Sequence, residues 1–219
     1  MRNRRGLFAG MQSGRLSGFV PYKGTKDLPN AGRISRFIRN FVDMKVALCQ
    51  FSMEWEAAAR NLRRAEELVA QAGADLALLP EMFATGFVTE PWRTALPDEE
   101  ELLAWMRRTA RRYATALAGS AVVRSGDRFA NRFFFVRPAG GAERYDKRHL
   151  FSIGGEDAHF VAGRRRVVVE YGGLRFLPLV CYDLRFPVWC RCRSDYDAIL
   201  CVASWPAPRR EVWRTLLRA

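Results

Sequence analysis

The sequence has no apolar run near the roughly 20 residues that a membrane-spanning helix needs, and it has no internal repeat or low-complexity tract. Histidine is scarce, with 2 residues among 219, and the 5 cysteines are an odd number without the dense spacing of a disulfide framework. These absences argue against a membrane protein and against a disulfide-rich secreted domain. They favour a reducing, cytoplasmic setting. The paired Cys/His spacing of a structural zinc site is also missing, so we expect no metal.

Acidic residues are outnumbered by basic ones, 23 to 36, which gives a net charge of +13. More than half of this surplus lies in residues 1–43, which lack the apolar periodicity needed to bury a face. We therefore expect residues 1–43 to be a disordered basic leader. It is either a transit peptide or, more simply, an extension from a start codon placed ahead of the functional start at Met44. The rest of the chain is only mildly basic, and we expect no nucleic-acid or membrane partner.

From Met44 onward, strand-like and helix-like apolar patterns alternate, which is typical of an α/β domain. The first three elements, at 45–51, 61–72 and 75–79, form a β-α-β unit and predict a parallel pair within a mixed sheet. The elements predicted after them are a helix at 98–118, strands at 117–123, 128–137, 143–147, 166–171, 175–180 and 197–203, and a helix from Glu211. We expect one domain over residues 44–219.

One cysteine, Cys181, follows the apolar stretch 177–180 directly and precedes a polar turn that contains Asp183 and Pro187. A thiol at the end of a buried strand is held on a rigid scaffold. The backbone N–H groups after it, that of Tyr182 first, can donate to a developing oxyanion. The alternative is that Cys181 is a small buried hydrophobic residue, as most free cysteines are.

Two further polar residues, Glu81 and Lys147, also follow predicted strands. Each alone is typical of a solvated surface charge. The carboxyl ends of strands in an open α/β sheet form the edge where sites assemble, so together with Cys181 they indicate a site. Glu81 can take the thiol proton and return it to a leaving amine, while the Lys147 ammonium can lower the thiol pKa and stabilise an oxyanion. Serine-histidine chemistry is less supported, because no Gly-x-Ser-x-Gly motif is present.

Four segments resemble motifs of the carbon–nitrogen hydrolase (nitrilase) superfamily, and within it the ω-amidase branch: LLPEMF at 78–83, YDKRHLF at 145–151, LPLVCYDLRFP at 177–187 and SWPAPR at 204–209. The resemblance implies an α-β-β-α sandwich, commonly dimerised or assembled into a higher homo-oligomer, and no cofactor. It also implies a Glu81–Lys147–Cys181 catalytic triad that works through a cysteine thioester, with Glu156 and the Tyr182 N–H in support.

The ω-amidase branch hydrolyses the terminal amide of 2-oxo acid ω-amides, such as 2-oxoglutaramate and 2-oxosuccinamate, and the similarity implies a small amide substrate of this kind. The carboxylate at the far end of such a substrate needs a cation, for which Arg185, Arg148 and His149 are candidates. Arg185 is equally suited to pairing with Asp183. The aromatic residues that could wall the pocket are Phe83, Phe87, Tyr145 and Trp205.

Two features depart from the family pattern. Ser204 stands where asparagine is expected, and the chain stops at the start of a helix that the family continues. We therefore expect a domain that is incomplete at its C-terminus, with an exposed sheet edge. The alternatives are another carbon–nitrogen hydrolase, acting on nitriles or N-carbamoyl compounds, and an inactive truncated remnant that interacts through its basic leader.

Overall fold

Two β-sheets face each other at the centre of the computed structural model, which describes residues 12–15, 44–94 and 98–218. The first sheet contains β1 (Gln12–Arg15), β2 (Lys45–Leu48), β3 (Leu76–Leu78), β4 (Ala116–Ser125), β5 (Arg128–Val136) and β6 (Ala142–Asp146). The second contains β7 (Val169–Tyr171), β8 (Leu174–Val180) and β9 (Ala198–Val202). The helices are α1 (Ala58–Ala72), α2 (Glu99–Tyr113), α3 (Glu156–His159), α4 (Pro187–Cys190) and α5 (Arg210–Arg218).

The strands of the first sheet lie in sequence order, and the central pairs β2–β3 and β3–β4 are parallel. The pairs β1–β2, β4–β5 and β5–β6 are antiparallel. In the second sheet, β8 pairs antiparallel with β7 and parallel with β9. The predicted β-α-β unit is therefore present as β2-α1-β3, and the sheets are mixed as expected.

Each of the two long helices has one apolar face and a defined end. Leu68 and Val69 of α1 are buried, and the helix stops at Gly73, whose left-handed φ of 50° suits glycine. Helix α2 is capped at its start by Asp98, whose side chain accepts a hydrogen bond from the Glu100 N–H. It ends at Tyr113 rather than at 118, because residues 116–118 pair with β3.

Two apolar layers hold these elements together. Side chains of α1 and α2, such as Leu68 and Leu103, pack on one face of the first sheet. The opposite face of that sheet, including Phe133 and Phe135, packs against Phe176 and Val202 of the second sheet. The order of layers is thus helices, first sheet, second sheet, with β3, β6 and β8 ending near one another at the edge of the core.

At one place the structure departs from the prediction that residues 1–43 are a disordered leader. Gln12–Arg15 forms a strand on the free edge of β2, and the remainder of residues 1–43 lies outside the described residues. Backbone pairing at a sheet edge does not depend on an apolar side-chain pattern, which is why periodicity did not indicate this strand. Within the described ranges, no helix is both long and apolar enough to cross a membrane.

Candidate active site

Four side chains singled out by the sequence meet where these strands end. Glu81 lies just beyond β3, Lys147 follows β6 directly, and Cys181 follows β8 directly. Glu156 is the first residue of α3. Glu81, Lys147 and Glu156 have no exposed surface at all, so their charges must be balanced inside the protein.

Lys147 provides this balance by bridging the two glutamates. Its Nζ donates to Glu81 Oε1 at 2.8 Å and to Glu156 Oε2, also at 2.8 Å. The Phe151 N–H donates to Glu156 Oε2 at 2.7 Å and so ties the loop after β6 to the same carboxylate. Burial disfavours the charged ammonium, but the two carboxylates outweigh it and raise the pKa of Lys147. Lys147 is therefore an ammonium at neutral pH.

A residue that the sequence analysis did not single out completes this cluster. Asn131, on β5, is fully buried, and its Nδ2 donates to Glu81 Oε1 at 2.9 Å and to Glu156 Oε1 at 3.0 Å. Its backbone carbonyl accepts from the Lys147 N–H at 2.9 Å. Glu81, Asn131, Lys147 and Glu156 thus come from four separate segments, and no local sequence pattern marks Asn131 as a member of the cluster.

The remaining oxygen of Glu81 is held by the segment after β9. The Ser204 N–H donates to Glu81 Oε2 at 2.9 Å. This donor belongs to the backbone, so the contact does not require the asparagine expected at position 204. Glu81 is therefore fixed through both oxygens.

Cys181 occupies a strained turn. Its φ is 47°, in the left-handed region that non-glycine residues avoid, at a cost of about 1–2 kcal/mol. A 3₁₀-helix, Cys181–Arg185, starts at this residue. The first N–H groups of a helix lack partners within it, so the Tyr182 N–H at the start of this helix can serve as a donor next to the thiol. The geometry is that of a nucleophile elbow.

The thiol is not a preformed thiolate. Burial is the largest cause that raises the pKa of Cys181 well above its ordinary value, and the Glu81 carboxylate raises it further, while Lys147 lowers it. The ammonium lowers the thiol pKa as expected, but burial and the Glu81 carboxylate outweigh its contribution. A base must accept the proton as the sulfur reacts.

A small cavity of about 60 Å³ opens onto Cys181. Two guanidinium groups lie in its wall: that of Arg185 is 5.7 Å from the Trp205 ring, and that of Arg209 is 5.7 Å from the Phe151 ring. The other lining residues are Phe87, Lys147, Tyr182, Ser204 and Pro206. Arg209 belongs to the SWPAPR motif, so this motif could have indicated Arg209 as a further candidate for binding the substrate carboxylate.

Of the predicted substrate contacts, Phe87, Arg185 and Trp205 line this cavity, but Tyr145 and His149 do not. Phe83 packs in the helix-side core, and Arg148 donates to the Gly163 carbonyl. The structure places the Tyr145 and His149 side chains outside this cavity, because both are bound to Asp183.

Asp183 is fully buried and accepts four hydrogen bonds. The Tyr145 hydroxyl and the Val180 N–H donate to Oδ2 at 2.8 and 3.1 Å. The His149 N–H and Nδ1 lie 2.8 Å from Oδ1. These bonds join the loop that carries Lys147 to the turn that carries Cys181. Asp183 therefore has partners other than Arg185.

A family model described as carbon-nitrogen hydrolase matches residues 45–219. The chain belongs to the carbon–nitrogen hydrolase family. The omega-amidase YafV of Yersinia enterocolitica is 46% identical to this carbon–nitrogen hydrolase over 177 residues, which cover 80% of the chain and 69% of the relative. The omega-amidase YafV of Escherichia coli (strain K12) is 44% identical with the same coverage. The 2-oxoglutaramate amidase of Bacillus subtilis is 29% identical over 80% of this chain and 70% of its own length.

Solved structures agree with this assignment. The crystal structure of XC1258 from Xanthomonas campestris, a CN-hydrolase superfamily protein with an arsenic adduct in its active site, matches with a TM-score of 0.74 and 38% identity over 80% of this chain and 70% of that one. An amidase of the nitrilase superfamily from Nesterenkonia AN1 matches with a TM-score of 0.71 and 26% identity, with the same coverage. The family and the nitrilase-type α/β fold expected from the sequence are confirmed.

Among the described residues, no three His, Cys, Asp or Glu side chains are grouped so that they could hold a metal ion. All five cysteines are free thiols, and Cys49 is a buried one whose pKa is raised to about 11 by burial. Cys181 is the cysteine that lines the cavity.

Proposed function

We propose that this carbon–nitrogen hydrolase removes the terminal amide of 2-oxo acid ω-amides, such as 2-oxoglutaramate and 2-oxosuccinamate, through a thioester on Cys181. The observation that carries the proposal is the cavity that ends at this thiol and has Arg185 and Arg209 in its wall. The relatives named omega-amidase and 2-oxoglutaramate amidase support the substrate class.

In the proposed first half-reaction, the Cys181 sulfur attacks the amide carbon and its proton passes to Glu81. The carbonyl oxygen becomes an oxyanion that accepts hydrogen bonds from Lys147 Nζ and the Tyr182 N–H. Two of the three Nζ donors are taken by Glu81 and Glu156, which leaves one for the oxyanion. When the C–N bond breaks, Glu81 returns the proton to the departing nitrogen, which leaves as ammonia.

In the second half-reaction, water attacks the thioester carbon and gives a proton to Glu81. The C–S bond then breaks, and Glu81 returns this proton to the sulfur. The product is the 2-oxo dicarboxylate, and the free thiol is regenerated. Glu156 holds Lys147 in place through a second ion pair, which supports the positioning role proposed for it.

The two arginines account for the preference for a substrate that carries a carboxylate. A guanidinium binds a carboxylate in a two-pronged arrangement, and both groups lie against aromatic rings within the same small cavity. Nitriles and N-carbamoyl compounds that lack the far carboxylate gain nothing from these cations. The cavity thus favours the ω-amidase reaction over the other reactions of the family.

The test is ammonia release from 2-oxoglutaramate, with an aliphatic nitrile and an N-carbamoyl compound, both without a carboxylate, assayed in parallel. We expect turnover of the ω-amide that is abolished in Cys181→Ala. Arg185→Gln should raise KM more than it lowers kcat, because it removes a contact made equally before and during reaction. The surface variant Arg60→Gln, whose partner Glu54 is also exposed, serves as the matched control. Turnover of the nitrile in preference to the ω-amide would refute the assignment.

Self-association and compartment belong to the same proposal. We expect a homodimer or a higher homo-oligomer in the reducing cytoplasm, where five free thiols persist. Exposed apolar side chains at Val188 and Ile199 support an interface between copies. Light scattering on the protein as it elutes from a size-exclusion column tests the expected self-association, and a monomer at micromolar concentration would contradict it.

A further inference from the structure

We propose that Asn131 is a positioning residue of this site, whose amide N–H₂ holds Glu81 in place as the base by donating to Glu81 and Glu156 at the same time. This inference rests on the proposed function, because it assumes that Glu81 accepts the thiol proton. It concerns a residue with no place in the Glu–Lys–Cys triad.

The orientation of the Asn131 amide is determined by its neighbours. Its Nδ2 lies 2.9 Å from Glu81 Oε1 and 3.0 Å from Glu156 Oε1. Two ionised carboxylates are acceptors only, so the amide must turn both of its N–H groups toward them. The opposite orientation would place Oδ1 against two other oxygens.

This orientation leaves Asn131 Oδ1 buried and without a hydrogen-bond partner among the residues that the structure describes. An unsatisfied buried oxygen destabilises a fold, and an apolar side chain at this position would avoid the cost. Phe129, Ala130 and Phe133 show that buried positions of β5 are otherwise apolar. An asparagine that is unfavourable for packing is therefore explained by its two donors.

These donors matter because the cluster is short of positive charge. The titratable groups that face Glu81 are Lys147, Glu156, Cys181 and Cys201, and only the first of them carries a positive charge. One ammonium thus serves two fully buried carboxylates. The amide adds two partial positive charges between the carboxylates without adding a competing base.

The decisive variant is Asn131→Asp, which keeps the shape of the side chain but replaces the two donors by a third carboxylate. We expect the acid limb of the kcat/KM profile to move to higher pH by about one unit or more, because three carboxylates around one ammonium hold a proton more tightly. Asn131→Leu removes the donors without adding charge, so it should move the limb in the same direction by less. At a pH below the wild-type limb, Asn131→Asp should lose at least about tenfold in kcat/KM.

The matched control is Asn61→Asp. Asn61 is also buried, but its Nδ2 donates to the backbone carbonyls of Glu54 and Ala84. We expect this control to lower Tm without moving the pH profile. If the Asn131 variants lower Tm and leave the profile where it is, Asn131 is structural only and the inference is overturned.

A second readout separates this inference from the proposed function. The rate of Cys181 alkylation by iodoacetamide does not require an amide substrate, and it should fall in Asn131→Asp relative to the wild type at pH 8, because added negative charge stabilises the protonated thiol. A wild type that shows no ω-amide turnover refutes the proposed substrate, while the alkylation profiles still decide the role of Asn131. Identical alkylation profiles for the wild type and Asn131→Asp would overturn the inference about Asn131.

Discussion

Lys147→Met is the substitution that tests the buried cluster most directly. Methionine has nearly the length and volume of lysine, so the change removes the charge while leaving the cavity filled. It leaves the carboxylates of Glu81 and Glu156 facing each other at sites with no exposed surface. The loss therefore comes from electrostatics and not from packing.

The size of the loss follows from the burial. Removing one partner of a fully buried ion pair costs about 3–5 kcal/mol, because the remaining charge is uncompensated. For a domain of this size, that corresponds to a fall in Tm on the order of 10 °C. Loss of an oxyanion donor lowers kcat by about 10²–10³, so activity and stability should fall together.

The pH dependence has a definite sign. The pKa of Lys147 is raised in the folded protein, so its contribution to wild-type stability is present below the ordinary lysine value and is lost only as the pH rises toward the folded one. The wild type therefore keeps this contribution to stability between about pH 5 and pH 9. In Lys147→Met, one of the two carboxylates takes up a proton as the pH falls, so the deficit should shrink toward pH 5.

The assay is thermal unfolding of both proteins at pH 5 and pH 8, with ammonia release measured on the same samples. Lys45→Met is the matched control, because Lys45 lies at the partly exposed start of β2 and its ammonium has no carboxylate partner in the described part of the chain. We expect a small, pH-independent effect from the control. If Lys147→Met behaves like the control, or if its Tm falls equally at both pH values, then the charge balance deduced from the distances is wrong.

Three further predictions follow from the geometry around the site. Because its pKa is raised, Cys181 should react slowly with iodoacetamide at pH 7 and faster as the pH rises, which peptide mapping of the alkylated protein measures. Asp183→Asn replaces one acceptor oxygen of a residue that accepts four hydrogen bonds, and chemical denaturation should show a loss of about 1–3 kcal/mol. Gly119→Ala would place a methyl group 2.9 Å from both Leu79 and Phe83 beside the Glu81 turn, so it should lower stability by about 1–3 kcal/mol and also lower kcat.

The sequence predicted the strand ends and the residues that follow them, because an apolar stretch that stops at a polar residue is a local signal. Glu81, Lys147 and Cys181 each stand at such a boundary, and the structure brings them together. Asn131 has no such signal. It lies inside β5, and its partners are 25 and 50 positions away along the chain.

Tyr145 and His149 were candidates because an aromatic ring can wall a pocket and a cation can bind the substrate carboxylate. Neither side chain lines the cavity at Cys181. The structure turns Tyr145 toward the core between the sheets, where its hydroxyl donates to Asp183, and stacks the His149 ring on Phe186 at 3.7 Å. Proximity in sequence does not determine side-chain direction, because the direction is set by partners that arrive from the turn after β8.

The combination of a half-buried thiol and a buried carboxylate makes the proposed nucleophile depend on its substrate. Burial and Glu81 raise the pKa of Cys181, so the resting site holds a thiol with low reactivity toward small electrophiles. An amide carbonyl placed against the sulfur changes this balance. As the S–C bond forms, the thiol proton moves to the Glu81 carboxylate and the negative charge appears on the carbonyl oxygen, next to Lys147 and the Tyr182 N–H. The features that make Cys181 a poor thiolate therefore favour attack on a carbonyl, and slow alkylation together with efficient amide hydrolysis is the behaviour that this site should show.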